Sequence, residues 1–405
     1  MSVNSAAQQL YTFGPIDNYL FGDNPDTDSS IFALNSSKIS PFAKNVVKVN
    51  FDDTIDYGKI VMAKLPLVGD LVNSINLHIK LPTLKIPPGS TFVAWTNSIG
   101  YVLIDYVQVL IGGFVVSHQT GESMELLDYL STDGSKKGAK AIATGRYDNI
   151  NVLSQNATKP QDLYIPLQFW FNKKLGSSLP IVALSKHQVQ LVVKFNDFSK
   201  CVSYDGPLEP TVVPLEETYF VADYYLLSPV EKSHYKDESL TYLIEEFPSQ
   251  HYNINQGLVA KKLNINMAKS IKELLVVFRE KESVKNNDFF NYGLRSKQGQ
   301  EFVKTIQLLM NGIPRFEKMS ESYLRLVTPQ KHHTFSGNRN IYVIPFSEVP
   351  ESNQPTGSIN FTLYDNIELN LELVEDLPNS EVIVYGIAYN VLEIKNGIAH
   401  VKFLS

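Results

Sequence analysis

One stretch of the chain occurs twice, and that repetition limits what the chain can fold into. Residues 107–131 read VQVLIGGFVVSHQTGESMELLDYLS and residues 306–329 read IQLLMNGIPRFEKMSESYLRLVTP. They align without a gap at a shift of 199 residues, placing Val107 on Ile306, Gln108 on Gln307, Gly113 on Gly312, Glu122 on Glu321 and Ser123 on Ser322. Each copy reads as an apolar strand, a turn dipeptide (Gly112-Gly113, Asn311-Gly312), a short partner strand and a brief Glu-rich helical turn. A shared unit at half the chain length points to two copies of one module.

The 405 residues are enough for two or three domains with cores of their own. The 21 Tyr, 22 Phe, 22 Gly and 21 Pro favour strands joined by turns. A net charge of −6 argues against a dedicated nucleic-acid binder, which needs a basic surface. The single cysteine, Cys201, excludes an intrachain disulfide. The N-terminus lacks the basic start and apolar core of a signal peptide, and no apolar run has transmembrane length, so the expectation is a soluble protein assembled inside the cell. The sequons at Asn35, Asn156 and Asn360 then read as chance matches.

Residues 1–42 are polar and turn-rich and read as an arm. Asp23, Asp26 and Asp28 lack the Gly and terminal Glu of an EF-hand loop and read as a solvated turn. Strand patterns begin at Asn45 and recur at β-sandwich spacing. The closing strand of the first half, YFVADYYLL (219–227), has a counterpart in GIAYNVL (386–392), with a connector, SPVEKSHYKDES, beginning near Ser228-Pro229. Each half offers roughly eight strands, the number for a jelly roll. The expected fold is therefore all-β: two tandem eight-stranded antiparallel jelly-roll sandwiches with short helices in loops. The expected domains are 1–42, 43–228 and 229–405.

Candidate chemistry is sparse. Glu122 and Glu125 share a helix face and could do acid–base work, but the reading preferred is a solvated face with Met124 and Leu127 turned inward. Residues 132–148 carry Lys136, Lys137, Lys140 and Arg146 and read as a solvated loop, with an anion or glycan contact as the alternative. Phe169, Trp170 and Phe171, placed on a strand, would turn at least one ring away from their own core, to be covered by a loop or another subunit or left exposed. Trp95 and the same aromatic run could stack on a sugar or base, with packing the preferred reading. His187 reads as packed or hydrogen-bonded. His332 and His333, adjacent in an extended chain, would point apart and not share a metal. Cys201 has Lys200 beside it but no nearby His to activate a thiolate. No phosphate-cradling loop, GxSxG, HExxH, CxxC or Rossmann glycine pattern is present. No catalytic, cofactor-binding or metal residue is assigned.

Four motifs in order across most of the chain carry a resemblance: LVGDLVNSINLHIKLP (67–82), IPLQFWFNKKLGSSLPIVALSKHQVQL (165–191), QPTGSINF (354–361) and VYGIAYNVLEIKNGIAHVKF (384–403). The chain resembles the major capsid proteins of the nucleocytoplasmic large DNA viruses, the double jelly-roll proteins of phycodnavirus, iridovirus and mimivirus type. The resemblance implies a structural protein and no enzyme, with no cofactor. It implies a homotrimer of pseudo-hexagonal outline that tiles an icosahedral shell beside neighbouring capsomers. It also implies residence in the virion capsid after assembly in the host cytoplasm, and no direct nucleic-acid binding. The arm, residues 1–42, would contact minor capsid proteins or the inner membrane below the shell, and loops 132–160 and 281–301 would face outward. The alternatives are a minor capsid paralogue, a jelly-roll carbohydrate-binding or attachment protein using Trp95 or Trp170, and a cupin-like metal enzyme, against which the scattered histidines argue.

Overall fold

The computed structural model describes residues 14–20, 22, 38–147, 149–295 and 300–403. Residues 1–41 make one unit and residues 42–405 another. Among the described residues of the first, a 3₁₀ turn, Asp17–Tyr19, follows Gly14, whose amide donates to Asp17 Oδ2 at 2.7 Å. The Asp23, Asp26, Asp28 and Asn35 expectations lie outside the described residues.

In the second unit, Phe42–Asn50 (β1), Ile60–Lys64 (β2), Leu71–Leu81 (β3), Ile104–Ile111 (β4), Phe114–Thr120 (β5), Gln161–Pro166 (β6), Val189–Phe195 (β7) and Glu216–Leu227 (β8) form two four-stranded antiparallel sheets. The orders are β1-β8-β3-β6 and β2-β7-β4-β5. This is the eight-stranded jelly roll expected from the spacing of apolar runs.

The topology then repeats. Leu240–Glu246 (β9), Ser249–Ile254 (β10), Ala260–Asn264 (β11), Ser270–Glu280 (β12), Val303–Met310 (β13), Ile313–Pro314 (β14), Ile341–Pro345 (β15), Ile367–Leu373 (β16), Ser380–Lys395 (β17) and Ile398–Val401 (β18) follow. One sheet runs β9-β17-β12-β15, with β10 and β18 also on β17; the other runs β11-β16-β13-β14. The strand equivalent to β1 is split at Phe247-Pro248, because proline cannot donate to the ladder. The final hairpin adds a further strand.

The turn dipeptides explain why the repeat is visible in sequence. Gly112 and Gly113 have φ of 61° and 86°, and Asn311 and Gly312 have φ of 48° and 80°. Both residues of each two-residue hairpin loop are left-handed, a conformation that glycine and asparagine tolerate best. After the first hairpin comes the helix Gly121–Ser131 (α1). Its start is a capping box: Thr120 Oγ1 accepts from the Ser123 amide at 3.2 Å, and Ser123 Oγ accepts from the Thr120 amide at 3.0 Å. The second copy has Met319 where the first has Thr120 and so cannot repeat the box. Replacing Thr120 by Ala is expected to cost about 1 kcal/mol of stability, read as a lower urea midpoint.

Paired residues fix which turns share an end. Phe42↔Leu227 and Ile111↔Val189 lie at one end of the first sandwich; Leu81↔Gln161 and Ile104↔Phe195 lie at the other. The sandwiches stand parallel. At the first end the Lys186 amide donates to Gly397 O at 3.1 Å and Asn353 Nδ2 donates to Ser177 Oγ at 3.2 Å. At the second end Asn287 Nδ2 donates to Val202 O at 2.7 Å.

Candidate functional site: the seam between the sandwiches

The β12 sequence SIKELLVVFRE does not alternate, and its pattern leads to the seam. Every residue from Ile271 to Glu280 is buried. Ile271, Leu274, Val276 and Phe278 face the second sandwich's own core, whereas Leu275 and Val277 face outward and are covered by α1 of the first sandwich. A strand buried on both faces reads as a continuous apolar run. Leu126 and Leu130 of α1 pack on Leu275, Val277, Ile341, Val343, Ile383 and Tyr385, while Met124 turns back into the first core. Leu127 is only half-buried.

Charge pairs frame this apolar patch. Arg279 Nη1 donates to both Glu122 oxygens at 3.1 Å, and its Nε donates to Glu381 at 2.7 Å. Glu125 Oε1 accepts from Arg146 at 3.0 Å and from Arg339 at 2.7 Å. Burial pushes the Glu122 carboxyl above its ordinary range even with Arg279 beside it. The solvated acidic face expected of α1 is therefore corrected. Both carboxylates are paired and turned into the seam, with cations from 157 and 214 residues away in sequence.

The solvated loop at 132–148 is corrected too. Lys137–Thr144 (α2) is a helix, ended by Gly145 at φ 70°, and Ile150–Ala157 (α3) follows. Lys140 pairs with Asp128 of α1, and Arg146 reaches Glu125. The connector is likewise helical over Pro229–Asp237 (α4), with Ser228 as its cap.

A second group of charges ties the sheets nearer the other end. Glu245 on β9 takes Lys173 of the first sandwich at 2.5 Å and Lys272 of β12 at 2.6 Å. Burial alone would raise the Glu245 carboxyl, but the two ammonium groups overcome it and hold it at about 2. Nearby, His333 Nδ1 faces Glu351 and Nε2 faces Glu273, each at 2.9 Å. Burial would depress this imidazole, yet the carboxylates outweigh it and hold it at about 9. With both nitrogens serving as donors, it is an imidazolium and has no lone pair for a metal. His332 diverges toward Glu348 O at 2.8 Å, as expected, although it ends a helix and does not lie in an extended chain. The His333 pairing has a pH signature. Its stabilisation is complete below the unfolded value near 6.5 and is lost as pH rises through about 9. Unfolding stability should fall by about 3 kcal/mol across that window, and His333→Gln should flatten the fall in urea titrations.

The third tie is the β17–β18 hairpin. Its turn, Asn396-Gly397, repeats the paired left-handed geometry at φ 54° and 82°. Leu392, Ile394 and Ala399, with Ile244 of β9, are buried in the first sandwich's core. The Ala399 amide donates to His187 Nδ1 at 3.2 Å, so His187 is hydrogen-bonded as expected.

The remaining residues of interest are structural. Phe169, Trp170 and Phe171 are not on a strand; they enter a 3₁₀ turn, Trp170–Asn172, and all three are buried in the first core. No ring needs a neighbouring subunit, which corrects the expectation from alternation. Asn73 on β3 holds the turn by donating to Phe171 O at 2.6 Å. Trp95 is 2% exposed and Trp170 5%, so neither offers a sugar platform. Cys201 is buried, its thiol pushed up by burial, and donates to Asp197 O at 3.4 Å. Asn360 caps a 3₁₀ turn by accepting from the Thr362 amide at 3.0 Å. Among the described residues no group of three His, Cys, Asp or Glu side chains is placed to hold a metal, and no helix is long and apolar enough to cross a membrane.

Charged pairs, apolar helix and tucked hairpin all join one sandwich to the other, and known proteins share the two-sandwich fold. Residues 30–218 match the model for the major capsid protein N-terminus, and residues 231–400 match the model for the large eukaryotic DNA virus major capsid protein. The chain is 26% identical to the major capsid protein of Pyramimonas orientalis virus over 98% of both chains. It is 22% identical to that of Paramecium bursaria Chlorella virus 1, again over 98% of both. In fold it is similar to the protein of the PBCV-1 virus capsid model, with a TM-score of 0.80 and 20% identity over 93% of this chain and 100% of that one. The Faustovirus major capsid protein gives a TM-score of 0.74 at 10% identity over 96% of both. With two family models meeting at the two sandwiches and relatives aligned nearly end to end, the chain belongs to the major capsid protein family of large eukaryotic DNA viruses.

Proposed function

We propose that three copies of this chain assemble into a capsomer of pseudo-hexagonal outline that tiles the icosahedral shell of a large DNA virus. As a member of the major capsid protein family, the chain resides in the virion capsid and serves as a structural subunit. The observation that carries the trimer is the duplication itself. Two sandwiches of one topology stand parallel in a single compact unit, so three chains would offer six near-equivalent edges, which suits a hexagonal lattice.

Exposed apolar groups support the need for neighbours. Phe114 and Ile313 occupy matched positions of the repeat, each directly after its turn dipeptide, and each is 71% exposed. The edge strand β1 leaves Phe42 and Val46 more than half exposed, a surface that an isolated sandwich would have to protect from misassociation.

In this reading residues 43–228 and 229–405 are the two lobes, and the connections within 132–160 and 281–301 face outward. Residues 1–42 reach the minor capsid proteins or the membrane beneath the shell. Electron microscopy of purified protein should show particles of three chains with six lobes; single two-lobed particles would contradict the proposal. Deleting residues 1–20 should leave those particles intact and impair shell assembly, whereas normal shells from the deletion would exclude the role given to the arm.

A further inference from the structure

Three cations crowd one aromatic ring at the end of the molecule opposite the Gly112-Gly113 turn. Lys137 Nζ lies 3.8 Å from the centroid of Tyr129, Arg339 Cζ 4.6 Å and Arg146 Cζ 5.3 Å. Lys137 also lies over Phe335. Cations are attracted to a ring face, but one ring cannot neutralise three charges, and like charges so close repel.

The carboxylate among them is Glu125, whose Oε1 already serves both guanidinium groups. Asp128 is engaged by Lys140. Among the described residues Lys137 forms no ion pair, and its ammonium donates to Tyr129 O at 3.2 Å. The ion pair with Glu125 engages only Nη1 of Arg146. Burial, then Arg146 and Arg339, push the Lys137 ammonium down to about 7, the behaviour of a cation short of counter-charge.

The groups line a cleft of about 590 Å³ between the sandwiches, large enough for a monosaccharide-sized ligand. A neighbouring cleft of about 400 Å³ shares Arg146 and Arg339. In a chain of net charge −6 this is, among the described residues, a local cationic excess in a half-open cleft, which concentrates small anions.

We propose that this cleft binds an oxyanion (phosphate, sulfate or carboxylate, free or borne on a sugar), with Lys137 and Arg146 as its ligands. Among the described residues only Nη1 of Arg146 is paired, and its other guanidinium nitrogens suit two oxygens of one such group. Lys137 adds the charge that Glu125 does not answer. The site lies within one chain and does not depend on the trimer.

Calorimetric titration tests it, with inorganic phosphate, sulfate, N-acetylneuraminic acid and neutral mannose, near neutral pH and at matched ionic strength. The three anions should bind saturably and mannose should not. Binding should take up a proton onto Lys137, so its heat should vary with the ionisation enthalpy of the buffer. Lys137→Gln should weaken binding by a factor of ten or more with its native mass and melting profile kept, and Lys137→Arg should restore it. Tighter binding of the acidic sugar than of phosphate assigns a sugar-borne source, and the reverse order assigns the free ion. Absence of saturable binding at millimolar concentration would overturn the proposal. Unchanged binding by a folded Lys137→Gln would overturn it equally, since the anion would then sit elsewhere.

Discussion

Replacing Glu245 by Gln should cost about 3–5 kcal/mol of folding stability, because it strands one buried and one partly buried ammonium group at once. Lys272 is 1% exposed and has Glu245 and Pro350 O as its hydrogen-bond acceptors; Lys173 reaches the same carboxylate from the first sandwich. The amide that replaces the carboxylate keeps shape but carries no charge. The surrounding protein cannot rehydrate Lys272 without opening the seam. Adding Lys272→Met to Glu245→Gln should recover roughly half the loss, since the uncompensated charge is the main penalty. Urea unfolding of the single and double variants decides this. A single variant within about 1 kcal/mol of the parent would show that the pair contributes little. The carboxyl is held at about 2, so its contribution is present above its unfolded value of 4.5 and is lost as pH falls through about 2.

Leu126→Ala should cost about 2–5 kcal/mol by opening a cavity under α1. The side chain is fully buried against strands of the other sandwich, so the cavity lies on the seam and not in either core. Part of the loss should therefore appear as uncoupling, with one cooperative unfolding transition becoming two as the sandwiches separate. Met124→Ala, two residues away on the opposite face and packed inside the first core, should lower stability without splitting the transition. Identical single transitions for both variants would contradict the placement of α1 as the joint.

Much of the fold was legible in the sequence because its signals are local. Gly112-Gly113 and Asn311-Gly312 announce their hairpins through backbone conformations that other residues rarely adopt. Alternation in strands such as IELNLEL, buried at every second position, announces a half-covered sheet. The seam was not legible. Glu122 and Glu125 look like a solvated face until Arg279 and Arg339 arrive from beyond the connector.

A signal was nonetheless present. α1 carries Met124, Leu126 and Leu130 on two faces, and a helix apolar on two faces is covered on two. The unbroken ELLVVF run of β12 says the same of its partner. The Phe169–Phe171 run enters a 3₁₀ turn where strand alternation would apply, and aromatic residues do not distinguish the two. The α2 helix is masked in the sequence by its polar residues and by Gly138 inside it, although Gly145 just beyond its end is a usual stop signal.

In the proposed capsomer this duplicated sandwich assembles in threes. Native mass tests it most directly, by light scattering on protein resolved by size-exclusion chromatography. A stable species of three 45.6 kDa chains is expected. A species that stays at one chain across the accessible concentration range would contradict it, and would leave the paired Phe114 and Ile313 tips and the exposed β1 edge without a purpose.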